Sequence, residues 1–118
     1  MKKENVLLVA RGVWFYSRSD EAAFFEWLDK LTCVAKYEGK GDALHIEVRP
    51  ETVNEVALRE LLALFHRYGI DKKQLSAFDR QEFDKWFRNE KNYWFLDVFG
   101  TKKPRKRRNS PRVSARAS

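Results

Sequence analysis

Cysteine, histidine and proline are scarce in this chain, at one, two and three residues of 118. Each scarcity removes a class of explanation. The single thiol, Cys33, cannot close an internal disulfide, so a disulfide-stapled fold is excluded and a reducing compartment is the natural setting. Cys33 has no second thiol, ligand cluster or nucleophile elbow beside it, and reads as a small buried hydrophobe. Long hydrophobic runs are also missing. After Met1-Lys2-Lys3, the run from Val6 to Ala10 is five residues and stops at Arg11. A secretory core needs about 7–15 residues, and a membrane span about 20. A soluble, unsecreted, cytoplasmic protein with no membrane partner is expected.

Negative charge is missing from one end. Residues 1–100 hold sixteen Lys and Arg against seventeen Asp and Glu, a sum of −1, while residues 101–118 hold eight Lys and Arg and no acid, a sum of +8. The pI of 9.7 therefore belongs to the last eighteen residues, and the body is near neutral. The tail also lacks aromatic residues. A segment of one charge sign with little to bury cannot offset its ordering entropy, so a disordered basic tail over 101–118 is predicted, after a single domain over 1–100.

The body itself is patterned. Residues 5–16 are rich in β-branched and aromatic types, interrupted at Gly12, and predict a strand long enough to be central, with a bulge at the glycine. Ser19 or Asp20 then reads as an N-cap for a helix carrying Ala23, Phe24, Trp27, Leu28 and Leu31 on one face. Residues 33–38 and 43–49 read as a hairpin around Gly39-Lys40-Gly41-Asp42. In its second half Leu44, Ile46 and Val48 alternate with His45, Glu47 and Arg49, which puts one face in the core. Thr52-Val53-Asn54-Glu55 fits a capping box before a helix with Val53, Ala57, Leu61, Leu64 and Tyr68 on one stripe, widened by Leu58, Leu62 and Phe65. Gly69 supplies its left-handed end, and Ile70 packs back. Asp71 and Asp79 read as starts of short helices. The prediction is an α+β fold: a β-α-β-β-α core with a small mixed or antiparallel sheet, helices on one face, and a short helical aromatic section closing at Gly100. That order begins a ferredoxin-like split unit whose last strand is absent from the pattern.

Chemistry is harder to find. His45 lies on an outward strand face and His66 on a helix flank, 21 residues apart, with no nucleophile to complete a catalytic set. Gly39-Lys40-Gly41 lacks the spacing of a phosphate loop and opens no helix. No catalytic residue, metal site or cofactor is expected. The tail offers Lys102, Lys103, Arg105, Lys106, Arg107, Arg108, Arg112 and Arg116 to a polyanion such as nucleic acid. Full engagement would weaken by about 10³–10⁵-fold between about 50 and 200 mM salt. In a eukaryote the same run would pass as an import signal. The third feature is the density of aromatics from Phe78 to Phe99. Core packing accounts for much of it. Phe83, Trp86, Phe87, Tyr93, Trp94 and Phe95 are nonetheless dense for an interior of this size. Trp86, Phe87, Tyr93 and Trp94, ringed by charges such as Arg88, Glu90 and Lys91, read as a protein-binding hot spot, and dimerisation would use the same features.

One resemblance bears on this choice. Phe25-Glu26-Trp27-Leu28, the run Leu62-Ala63-Leu64-Phe65-His66-Arg67-Tyr68-Gly69-Ile70-Asp71, Lys73-Gln74-Leu75, Tyr93-Trp94-Phe95 and the closing Val98-Phe99-Gly100 resemble a family of small bacterial cytosolic proteins. That pattern is similar to immunity proteins, which neutralise toxins by binding them. The resemblance covers Phe25 to Gly100, leaves the tail outside, and brings no catalytic motif. It implies a non-enzymatic binding protein with a toxin as its candidate partner; a regulatory protein-binding role is the other form this reading takes.

Overall fold

Three strands build the sheet in the computed structural model, which describes residues 4–100. They are β1 (Val6–Arg11), β2 (Val34–Lys40) and β3 (Ala43–Val48). Their order is β1-β3-β2 and both pairings are antiparallel. The fold class is α+β, as the pattern predicts, and the sheet is not mixed. The first apolar run is not the central strand. β1 stops at Arg11 on an edge because Gly12, at φ +58°, turns the chain away. Its N–H donates to the Asp42 carbonyl at 3.0 Å. β3 takes the centre, and it is the strand with the clearest alternation.

That alternation decides which face is buried. Leu8 pairs with Ile46 and Val6 with Val48, and Leu8, Ala10, Ile46 and Val48 are all buried. Leu7, His45 and Glu47 lie on the opposite face and stay open to water to differing degrees. Helix α1 (Arg18–Lys30) contributes Phe24 and Leu28 to the core, and α2 (Glu55–Tyr68) contributes Leu58, Leu61, Leu62, Leu64 and Phe65. Ala23, expected on the apolar face of α1, is exposed, and Trp27 is half-buried with its indole N–H on Glu60 at 2.9 Å. The edges of both helices shift from the predicted positions. Ser17, in extended backbone, caps α1 by accepting the Asp20 N–H, so neither Ser19 nor Asp20 is the cap. Asn54 caps α2 by accepting the Ala57 N–H. Thr52 instead donates to the Arg49 carbonyl inside a 3-10 turn over Pro50–Thr52, which redirects the chain after β3. Gly69 ends α2 at φ +69° and Ile70 N–H returns to the Phe65 carbonyl at 2.8 Å, as the glycine predicts.

After α2 the chain wraps in short turns: a 3-10 segment over Lys72–Phe78, another over Gln81–Phe83, α3 (Asp84–Phe87) and α4 (Phe95–Phe99). Asp71 caps the first of these through the Lys73 N–H. Asp79 does not start the next turn: its N–H closes the first on the Ser76 carbonyl at 3.0 Å, and its carboxylate holds Arg88. The first of these turns lies against the outer edge of β1. Gln74 lies against the outer edge of β1, where its Oε1 accepts the Val9 N–H and its Nε2 donates to the Val9 carbonyl, both at 2.8 Å. A third bond, from Nε2 to the Asp71 carbonyl at 2.9 Å, holds the amide in place. One side-chain amide thus stands in for a strand's backbone and blocks that edge. Replacing Gln74 with alanine should cost about 1–2 kcal/mol of stability, the net worth of a short bonded set. It should also speed amide exchange at Val9 above that of Leu8, whose amide faces β3. Unchanged exchange at Val9 would mean that water already serves that edge.

Candidate functional site

The turn after Gly12 exposes the largest unburied aromatics. Between Gly12 and Ser17 the side chains alternate: Val13 and Phe15 turn inward, and Trp14 and Tyr16 turn out. Phe15 packs on Phe24, Phe25 and Tyr68 with ring centroids 5.4–6.2 Å apart, which anchors the segment. Its far end is pinned by the helix cap. Tyr16 N–H donates to the Asp20 carboxylate at 3.0 Å while Ser17 Oγ accepts the Asp20 N–H at 3.1 Å. Backbone held at both ends therefore presents Trp14, 70% exposed, and Tyr16, 86% exposed. Their rings meet edge to face at 6.5 Å.

Opposite them lies the last turn of α2. Trp14, Tyr16 and Asp20 face His66, Arg67, Tyr68 and Gly69 across an open cleft of about 500 Å³. His66 extends this surface, because Tyr93 packs against its ring in a tilted contact at 4.7 Å. Behind it, the nearly buried Lys72 ammonium donates to His66 Nδ1 at 3.2 Å and pairs with Asp97 at 3.2 Å. Hence α4, the 3-10 segment and α2 are tied together behind one wall of the cleft. Burial pushes the Tyr93 hydroxyl above its ordinary range, with Arg59 opposing.

The four aromatics expected to bind a partner do not share a surface. Phe87 and Trp94 are core residues, the second only 4% exposed. The Trp94 indole N–H donates to the buried Phe87 carbonyl at 2.9 Å. Trp86 is half-buried, with the Arg59 guanidinium 4.3 Å from its ring centre. Tyr93 alone of the four is open, at 52%. Short turns explain this. Each contributes one or two rings to a common interior, so a density that looks excessive for helices on a surface is consumed by wrapping. The candidate polyanion residues, Lys102 to Arg116, lie outside the described residues. Trp14 and Tyr16 belong to the run predicted as strand. The available signal was its length: twelve residues is about twice an ordinary strand, and a glycine divides it.

The other candidate reactive groups lie apart from one another. Burial pushes the Cys33 thiol above its usual range, which makes it a poor nucleophile. His45 sits on β3 between Val9 and Glu38, an element apart from His66. Among the described residues no group of three or more His, Cys, Asp or Glu is placed to hold a metal ion. No described helix is long and apolar enough to cross a membrane. The chain matches no protein-family model, no curated protein and no solved structure.

Proposed function

We propose that this protein is a non-enzymatic binding domain of the immunity or regulatory kind, and that its partner protein docks on the surface centred on Trp14 and Tyr16. The observation that carries this is the braced exposure of two large aromatic rings beside an open cleft. Isolated exposed apolar residues are ordinary, but paired exposed Trp and Tyr on fixed backbone have the composition and low entropy cost of a hot spot. Arg67 and Asp20 supply a polar rim, and Tyr93 continues the surface past His66.

A paired capture from source-cell lysate tests this. The baits are the full chain and its Trp14→Ala/Tyr16→Ala double variant, each with and without nuclease. The expected result is one stoichiometric protein on the wild-type bait, bound at least about 30-fold more weakly by the double variant, as loss of a hot spot implies. Circular dichroism should show the variant folded, since neither ring is in the core. A protein held equally by both baits would move the contact elsewhere on the body. Material released from both by nuclease would assign the function to the charge of residues 101–118, whose +8 is the observation behind a polyanion-binding reading.

A further inference from the structure

The two edges of the sheet are treated differently. Gln74 answers the backbone of β1 at Val9, whereas no strand lies along the outer edge of β2 among the described residues, and the one side chain on its backbone is Arg49, at the Val34 carbonyl at its start. Ladder geometry identifies the groups left over. Because Val9 turns its N–H and C=O outward to Gln74, its neighbours Leu8 and Ala10 face β3, and their partners Ile46 and Leu44 face β1. His45 and Glu47 must then face β2, so their partners Glu38 and Lys36 face inward. Tyr37, between them, turns its N–H and C=O to the outside.

We propose that this edge pairs with a second copy of the chain, antiparallel about a two-fold axis through Tyr37, to make a six-stranded sheet. In that arrangement the two Tyr37 residues exchange both backbone hydrogen bonds. Lys36 then lies opposite the partner copy's Glu38, and Glu38 opposite its Lys36, in the closely spaced positions of the ladder. The charges on this strand are thus self-complementary about its own centre, which is the requirement for a contact using the same patch on both copies. They also extend a pattern already present. Lys36 pairs with Glu47 at 3.6 Å on the open face, while Glu38 makes no ion pair among the described residues. An edge carrying one charge sign would repel a copy of itself, whereas this one alternates. Gly39 helps, since a Cβ placed there would meet nothing within 4 Å, leaving room for close approach. The ladder is short, because a register shift between Val34 and Lys36 ends its regular part. The contact therefore belongs with small, transient interfaces, below about 1,200 Å², and a dissociation constant on the order of tens of micromolar is expected. It is independent of the Trp14 and Tyr16 surface.

Sedimentation velocity of the full chain across about three decades of concentration, around that constant, tests it. The expected result is a monomer–dimer equilibrium that Trp14→Ala leaves unchanged. Lys36→Glu alone, or Glu38→Lys alone, sets like charges opposite each other twice and should weaken association at least about tenfold. An equimolar mixture of the two variants should restore it as a heterodimer, because each then meets the opposite charge at both positions. That rescue also shows both variants to be folded. A chain that stays monomeric at the highest concentration overturns the proposal. So does a dimer indifferent to both variants, or variants whose mixture gains nothing.

Discussion

Replacing Trp94 with alanine should cost about 3–5 kcal/mol, the usual range for a large aromatic removed from a core. Tyr93→Ala, one residue away, should cost about 1 kcal/mol or less, as expected of a partly exposed ring. Trp94 is packed by Trp86, Phe87 and Tyr93 at ring-centroid distances of 5.0–6.4 Å. Its truncation empties that space and leaves the Phe87 carbonyl without its donor in a place water does not reach. A domain of this size holds only about 5–15 kcal/mol in total, so the loss is a large share. At about 4 °C per kcal/mol the melting temperature should fall by roughly 12–20 °C. Thermal and urea unfolding of the two variants measure it. If Trp94→Ala were no worse than Tyr93→Ala, the indole would not be part of the core. The comparison also separates two roles that composition confuses: an aromatic that holds the body together, and one free to touch a partner.

What was legible follows from how local each signal is. The period of β3, the apolar stripe of α2 and the left-handed stop at Gly69 each lie within one element, and each matches the structure. The cap at Ser17 lies two or three residues from the predicted Ser19 or Asp20, and the cap at Asn54 two from Thr52. Several residues at each helix start have side chains able to accept a backbone N–H, and the entering chain decides which is used. The order of the strands is not local. The run over residues 5–16 reads as long enough to be central, but β3 alone can pair on both sides once the hairpin closes. The exposure of Trp14 and Tyr16 was not legible for a related reason. Trp14 and Phe15 are neighbours of similar hydrophobicity, and only the packing of Phe15 on Phe24 and Tyr68 fixes which of them faces water. The same holds for Tyr93 beside Trp94.

Arg80 carries the second large effect, because it joins the late turns to the sheet–helix connection. Its Nη1 donates to the Pro50 carbonyl at 3.1 Å and its Nη2 to the Val53 carbonyl, at the two ends of the turn that leads into α2. The guanidinium lies 4.8 Å from the Phe83 ring centre, with Glu82 at 3.8 Å. Its Nε is buried without an acceptor, so the fork is held for the two carbonyls at a cost. Arg80→Ala should therefore lose about 2–4 kcal/mol, from two bonds to a charged donor worth about 1.5–3 kcal/mol each less what relaxation recovers. Arg80→Lys should recover less than half of that, since an ammonium has no planar fork with which to reach both oxygens. Arg88, exposed and bridged to Asp79, is the control, and its alanine variant should change stability little. Urea unfolding gives the magnitude, and its slope tells where the loss acts. An unchanged slope means that the body unfolds as one unit and Arg80 stabilises all of it. A shallower slope means that the turns from Gln81 to Phe99 release first, and that Arg80 is what makes the aromatic section cooperative with the sheet. A loss no larger than that of Arg88→Ala would leave the packing of Phe83, Phe87 and Trp94 as the whole of the connection.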